Sequence, residues 1–577
     1  MALLQGQPAA AAELYARAIR INPRSATAAT CLGVTRMALG DFPGAERHLR
    51  EALRLEPRNA EIWNQLATLL STSGRPEEAV KCHRQAVTLN PKSAPAWHGY
   101  ASTLSNLNLP VEALAYEKRA IAADPAYAAA RRGYAVALQK CHRVPEGIRE
   151  YDALLAQNPR QLDAQSHRLF ALNYLAGQTP ESLYAAHKVY GEWVEKDAPK
   201  VTFTNSPDPN RKLRVAFFSA DFREHSVAYF IAPLIRLLDR DQFEILLYNF
   251  CNKPDAMTAY LRGMAGVWRD FPSNVESVIE PIVRADQPDI AIDLGGHTGE
   301  TLLPFFARCI APVQINYLGY PNTSGLKAMN YRLVDGTTDP AGKADQLHTE
   351  TLVRFSSCAW VYEPPATAPL PAPPPCLKNG PITFGSFNNF SKVTDEMLTI
   401  WGRLLNEVPG SRLLLKSIGL SDPAIIPQVR ERLRKSGLSD DRVALLGARG
   451  TTAEHLAAYA LIDIALDTAP YNGTTTTCES LWMGVPVITS IGDRHAARVS
   501  ASLLRAVGHQ EWIAGNFDEY VGIAKTLAHD PAQLKTLRSN LRDELTRSPL
   551  MDQSGKASEF GAALRDCWQK WCQTNQS

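Results

Sequence analysis

Five prolines stand 34 residues apart in this sequence, at Pro23, Pro57, Pro91, Pro125 and Pro159. Other positions keep the same phase. A small residue lies ten positions after each of the first four prolines (Gly33, Ala67, Ala101, Ala135), and another lies twenty-two after (Ala45, Ala79, Ala113, Gly147). Thirty after comes an aliphatic: Leu53, Val87, Ile121, Leu155. Small residues let two helices approach closely, and aliphatic residues at fixed offsets fill the seam between them. A proline cannot continue a helix, so each one closes a helix pair and resets the chain for the next.

A 34-residue helix–turn–helix period resembles the tetratricopeptide repeat, and four units with a leading fragment fit residues 1–160. Gly6, Ala11 and Ile19 match the repeat offsets, so the chain is expected to start inside a repeat. Such an array is either a spacer or a concave peptide-binding surface. Solenoids expose more groove than stability requires, which favours binding. A helical pattern over about 161–198, with Pro180 opening its second segment, is expected to make 161–210 a cap that links the array to the remainder of the chain.

After Arg211 the texture changes. Apolar, β-branched and aromatic runs at 213–222, 243–250, 289–297, 312–320 and 331–336 alternate with helical stretches, the pattern of a parallel sheet covered by helices. Residues 364–381 hold eight prolines and read as a stiff, extended connector. Beyond it the alternation restarts at 382–387, 411–417, 443–447, 463–468 and 485–490. The chain therefore reads as an α-solenoid followed by two Rossmann-like α/β halves, 211–363 and 382–554, with a last helix over 555–577. Two such halves leave a cleft at the carboxyl ends of their strands, where open α/β sheets bind nucleotides.

Composition removes several classes. Lys plus Arg (61) nearly cancels Asp plus Glu (59), so neither a nucleic-acid surface nor a solvating acidic tail is indicated. No apolar run approaches the roughly 18 residues of a membrane span, and the first residues lack the pattern of a signal peptide. The ten cysteines form no C-x-x-C pair. A reducing, cytoplasmic setting is expected, and the oligomeric state is left open.

The chemistry-bearing residues cluster at the predicted strand ends. In NGTTTTCES (472–480), Gly473 permits a tight turn, and Thr474, Thr475, Thr476 and Thr477 open a helix. A helix start carries about half a unit of positive charge and unpaired N–H donors, which suits a diphosphate. Glu479, slightly further on, is placed to accept the hydroxyls of a ribose. Lys392, in GSFNNFSK (385–392), follows the first strand of the same half and is a candidate to meet a leaving diphosphate, with Asn389 donating to a phosphate or sugar oxygen. His455 is a candidate to stack on or bond a base. In the first half, His225 (SADFREHS) and His297 (DLGGHTG) are candidate bases for an incoming hydroxyl, with Asp221 and Asp293 as alternative bases or orienters. GYPNTSG (319–325), including Tyr320 and Pro321, is expected to line a sugar pocket or form a plain turn. The single D-x-D, Asp239–Asp241, falls at a helix end and reads as a solvated turn, so metal-independent chemistry is expected, with no cofactor beyond a nucleotide-sugar co-substrate.

Repeats feeding two nucleotide-binding α/β halves resemble the O-GlcNAc transferase and SPINDLY family of GT-B glycosyltransferases. The resemblance covers nearly the whole chain and is carried by SADFREH, GYPNTSG, FGSFNNFSK and GTTTTCESLWMGVP. The last two strings look closer to SPINDLY. It implies inverting transfer of a sugar from a nucleotide diphosphate to Ser or Thr hydroxyls of proteins, the repeat surface holding the acceptor. By that resemblance His225 matches the proposed base, Lys392 the lysine that stabilises the departing diphosphate, Asn389 a donor-contacting glutamine and Glu479 a ribose-binding aspartate. Thr474 replaces a histidine and Thr452 a lysine of the GlcNAc enzymes, so UDP-GlcNAc and GDP-fucose both stand as donors. The family's asparagine ladder is replaced by Cys31, Gln65, Gly99 and Gly133. Two other readings stay open: an interaction scaffold with weak catalysis, and a GT-B transferase for a non-protein acceptor.

Overall fold

The computed structural model describes residues 8–199, 201–271, 276–299, 301–378, 380–448 and 450–575; Gly6, one of the positions in phase with the repeat, lies outside them. The chain divides into two compact units. One runs up to Ala164 and includes Tyr248–Asp255 and Arg269–Asp286; the other holds Gln165–Leu247, Ala256–Trp268 and the chain from Gln287 on.

In the first unit, antiparallel helix pairs follow the proline ruler: Ala26–Ala38 with Phe42–Leu55, Ala60–Thr72 with Pro76–Leu89, Ala94–Asn106 with Pro110–Ala123, and Ala128–Lys140 with Val144–Gln157. A further helix, Pro8–Ile21, precedes them. The periodic prolines sit in the turns between pairs, and the indoles of Trp63 and Trp97 donate to the carbonyls of Pro57 and Pro91 at 2.9 and 2.8 Å. Ser25, Asn59 and Ser93 cap the first helices of three pairs through their side-chain oxygens. The in-phase alanines Ala45, Ala67, Ala79, Ala101, Ala113 and Ala135 are fully buried in the seams. Gly99 and Gly133 are small for a local reason. A Cβ at Gly99 would stand 2.8 Å from the His83 ring, and one at Gly133 would stand 2.1 Å from a Glu117 oxygen. His83 and Glu117, from neighbouring helices, fill that space.

Two parallel sheets come after the repeats. The first comprises β1 (Leu213–Ser219), β2 (Phe243–Asn249), β3 (Val267–Asp270), β4 (Ile290–Asp293), β5 (Val313–Asn316), β6 (Tyr331–Asp335) and β7 (Thr351–Phe355), in the order β3-β2-β1-β4-β5-β6-β7. The second comprises β8 (Thr383–Ser386), β9 (Arg412–Lys416), β10 (Val443–Leu446), β11 (Ile464–Leu466), β12 (Val487–Ser490) and β13 (Ile513–Ala514), in the order β10-β9-β8-β11-β12-β13. Each sheet thus runs 3-2-1-4-5-6 from its own first strand, the doubly wound order of the Rossmann fold, with the reversal between strands one and four. Every run read as a strand in the sequence forms one. The strands β3, β7 and β13 escape that reading because they are short or carry exposed polar positions, as sheet edges do.

Helices Leu162–Leu172 and Pro180–Glu195 lie between the repeats and the first sheet in sequence, the second opened by a Thr179–Ser182 capping box. Gly191 sets how closely the second helix packs. A Cβ there would fall 1.8 Å from the carbonyl oxygen of Gly325, itself at φ +82° in the GYPNTSG turn. The last helix, Gln553–Thr574, returns to the first sheet: Phe560 packs on Phe217 and Tyr317, and the Trp568 indole donates to Asp208 O at 2.9 Å. Among the described residues no helix is long and apolar enough to cross a membrane.

Gly191→Ala is expected to destabilise the chain by about 1–3 kcal/mol, because a backbone carbonyl cannot rotate out of the way as a side chain can. Chemical denaturation would show this as a lower midpoint, and an unmoved midpoint would mean the helix has room to back off.

Candidate active site

In the second sheet the crevice opens between β8 and β11. The chain leaving β11 places Asp467 under the turn at Gly473. Its buried carboxylate accepts from Gly473 N at 2.7 Å and Asn388 Nδ2 at 3.1 Å through Oδ1, and from Thr489 Oγ1 at 2.7 Å through Oδ2. Burial pushes this carboxyl above its ordinary range, against the hydrogen bonds that pull it down. Gly473 is required by close approach: a Cβ would meet Thr476 Oγ1 at 2.5 Å, Thr477 Oγ1 at 2.8 Å and Asn388 Oδ1 at 3.1 Å.

The helix Thr475–Trp482 starts from this turn. Its N-cap, Thr474, makes no side-chain capping bond, so the hydroxyl does not close off the first N–H groups. Thr476 donates to Asn388 Oδ1 at 2.9 Å, and Thr477 pairs with Ser500 at 2.9 Å. Of the four threonines, Thr474, Thr475 and Thr476 stay partly open to solvent, whereas Thr477 is buried.

Lys392 arrives from the neighbouring strand. The chain leaving β8 makes a 3-10 turn, Phe390–Lys392, and Lys392 Nζ donates to Asn472 O at 2.8 Å, directly before Gly473. The ammonium also lies 4.1 Å from the centre of the Tyr471 ring. Burial pushes its pKa down to about 8, with Asp467 opposing. The amine and the threonine turn therefore share one place.

Glu479 and His455 come together rather than acting apart. His455 Nε2 lies 2.9 Å from Glu479 Oε2, which also accepts from Tyr459 OH at 3.2 Å. Lys416, at the carboxyl end of β9, pairs with His455 Nδ1. These partners assign the ring: Nδ1 accepts from the ammonium and Nε2–H donates to the carboxylate. Asn389 is turned away, exposed and accepting from Ser391 N at 3.0 Å as the cap of the 3-10 turn. Its neighbour Asn388 makes the contacts into the site.

In the first sheet, His225 caps the helix Ser226–Leu237, its Nδ1 accepting from Val227 N at 3.3 Å and lying 3.5 Å from Asp221 Oδ2. Burial lowers its pKa, Asp221 opposes and Arg223 adds to the fall, so the ring is neutral near pH 7. Glu224 Oε2 accepts from Thr452 Oγ1 at 3.4 Å, which brings the His225 loop against the helix carrying His455.

Other expectations are corrected. His297 is fully buried, with Nδ1 2.9 Å from Ser166 Oγ and Nε2 donating to Ser324 O at 2.9 Å, so neither nitrogen meets an incoming hydroxyl. Tyr320 and Pro321 do not line a cleft. Tyr320 is buried, its hydroxyl held by Asn173 and His187 at 3.0 and 2.7 Å. Pro321 is buried beside it. Thr323 and Ser324 of the same turn are bound to Glu350. Asp293 is likewise internal, accepting from Gly295 N, Gly296 N and Asn316 Nδ2. Asp239, by contrast, closes the expected turn, accepting from Asp241 N and Gln242 Nε2. The reading of the sequence missed Asn388, Asp467, Lys416 and Tyr459. Asp467 carried a usable signal, an acid at a buried strand's carboxyl end just before the turn.

A family model for glycosyl transferase family 41 matches residues 192–361 and 375–560, more than half of the chain, and a tetratricopeptide repeat model matches residues 36–104. The chain belongs to glycosyl transferase family 41. Among curated relatives, the probable UDP-N-acetylglucosamine–peptide N-acetylglucosaminyltransferase SPINDLY of Solanum lycopersicum is 40% identical over 72% of this chain and 45% of its own length. The SPINDLY of Arabidopsis thaliana is 39% identical over 72% and 46%. The Arabidopsis enzyme SEC, with the same probable activity in its name, is 26% identical over 63% and 38%. The chain spans about half the length of these relatives. A solved structure of a mutant O-GlcNAc transferase from Thermobaculum terrenum superposes with a TM-score of 0.85 at 33% identity, covering 89% of this chain and 98% of that one.

Within this family 41 chain, Asp467 ties three strand ends to the threonine turn. Asp467→Ala is expected to cost about 2–3 kcal/mol by leaving charge-assisted hydrogen bonds unmade, with Asp467→Asn milder because an amide oxygen still accepts. Thermal unfolding of the two variants checks the order, and equal midpoints for Ala and wild type would show that the carboxylate holds nothing.

Proposed function

We propose that this chain is an inverting glycosyltransferase that moves a sugar from a nucleoside diphosphate to a Ser or Thr hydroxyl of a polypeptide, without a metal ion. The observation that carries the reading is Lys392 Nζ seated on Asn472 O at the mouth of the threonine turn. An ammonium and a helix start there supply positive charge where a leaving diphosphate gains negative charge. The acceptor oxygen bonds to the anomeric carbon as the bond from that carbon to the phosphate oxygen breaks. The electron pair stays on the diphosphate, facing Lys392 and the N–H groups of the helix start.

The acceptor proton goes to His225. Its neutral state near pH 7 suits that task, and Asp221 Oδ2, 3.5 Å from Nδ1, favours the imidazolium that forms. Glu479 holds the ribose hydroxyls, and His455, tied to it, contacts the base. The curated relatives' names support a polypeptide acceptor and UDP-GlcNAc; the SPINDLY-like threonine string keeps GDP-fucose beside it as donor.

Turnover of UDP-GlcNAc and GDP-fucose with the full chain, in the presence of EDTA, tests the reading. Lys392→Ala is expected to lower kcat by about 100- to 1,000-fold for whichever donor is used, with nucleotide binding largely kept. Consumption of neither sugar, or full activity in Lys392→Ala, would overturn it. In wild type, kcat/KM is expected to fall as pH rises through about 8, where free Lys392 loses its proton. In kcat that limb should lie higher, because a bound diphosphate favours the ammonium.

A further inference from the structure

The contacts around Lys392 include a feature that its role toward a diphosphate does not need. The ammonium stands 4.1 Å above the Tyr471 ring, well inside the range of a cation–π interaction. The ring is itself fixed. Thr468 Oγ1 donates to Tyr471 O at 2.7 Å, and the Tyr174 ring packs on the Tyr471 ring with centroids 5.1 Å apart at 69°. Tyr174 is buried and braced in turn by Phe170, at 5.3 Å. Asn472, whose carbonyl takes the ammonium, is the next residue, held by its N–H to Ala496 O and its side chain to Thr468 O, both at 2.8 Å.

From this arrangement we infer that Tyr471 is a positioning residue for sugar transfer: its ring face, backed by Tyr174, holds the Lys392 ammonium at the threonine turn. The inference rests on the reading that Lys392 meets the leaving diphosphate. A lysine side chain has several rotatable bonds, and a free one loses considerable freedom when it is fixed for the reaction. The ring removes part of that cost beforehand. It also favours the charged form through the negative face of its π system, against the burial that favours the neutral amine. A side chain that merely filled space would do the first in part and the second not at all.

The distinguishing measurement is the pH profile of donor turnover, with UDP-GlcNAc and GDP-fucose as the probes. Tyr471→Leu keeps the site apolar but removes the ring. It is expected to lower kcat about tenfold and to move the alkaline limb of kcat/KM down by about one pH unit, with KM little changed. Tyr471→Phe, which keeps the ring face, is expected to restore both. Phenylalanines carrying one to five fluorines at position 471 should move the limb down stepwise, since fluorine drains the ring's negative face at nearly constant size. A flat fluorine series, or a Leu variant with the wild-type profile, would overturn the proposal. The fluorine series decides the matter even if Tyr471→Leu does not fold. Loss of turnover in Lys392→Ala beside normal turnover in Tyr471→Leu refutes the ring's role alone; normal turnover in Lys392→Ala refutes the reading beneath it.

Discussion

Asp467 is the point on which the second α/β half turns. Its two oxygens gather the loop after β8 (Asn388), the turn after β11 (Gly473) and the end of β12 (Thr489) around one buried carboxylate. Burying a carboxylate is costly unless it is hydrogen-bonded, and here three donors reach it. Because the turn is fixed from beneath by Asp467, the helix beginning at Thr475 needs no side-chain cap from Thr474. The N–H groups at its start, and the partial charge they carry, receive no side-chain cap from Thr474.

The first sheet repeats this device and uses it differently. Asp293 ends the fourth strand of its half and accepts from two N–H groups of a glycine turn, where Asp467 accepts from one, and from an amide on the next strand, Asn316. There the turn leads inward. His297 is carried into a buried seam with Ser166 and Ser324, while the loop after strand one presents His225 at a half-exposed helix cap. The two halves thus share one architecture, an acid at the switch point organising a glycine turn. In the second half the turn after strand four faces the crevice; in the first, the loop after strand one does.

That asymmetry marks where the sequence was legible. The proline ruler, the strand runs and the small in-phase residues follow local period and size, so helices, strands and seams were readable from spacing alone. Lys392, Thr474 to Thr476, Glu479 and His225 were readable as polar residues at predicted carboxyl edges. The errors arose because an edge position does not say which way a loop turns. His297 and Tyr320 are polar residues on loops of the correct edge, yet both are consumed by partners 131 to 147 residues away in sequence, Ser166, Asn173 and His187. Asn388 and Asn389 differ by one position, and only the backbone of the 3-10 turn decides which faces the site. Asp467 was hidden because it was read as part of the strand it terminates.

The choice of partners for Lys392 completes the electrostatic argument. Among the described residues it is held by a carbonyl and a ring, neither of which carries a formal charge. A carboxylate in ion-pair contact would hold the amine more firmly and keep it protonated to higher pH, but would have to be displaced, at several kcal/mol in a buried site, before a diphosphate could take its place. Among the described residues the one acid that acts on Lys392 is Asp467, and its oxygens already accept from three donors. The ammonium is therefore fixed in position but not neutralised. Burial lowers its pKa, and with no carboxylate in contact among the described residues most of its field stays uncompensated.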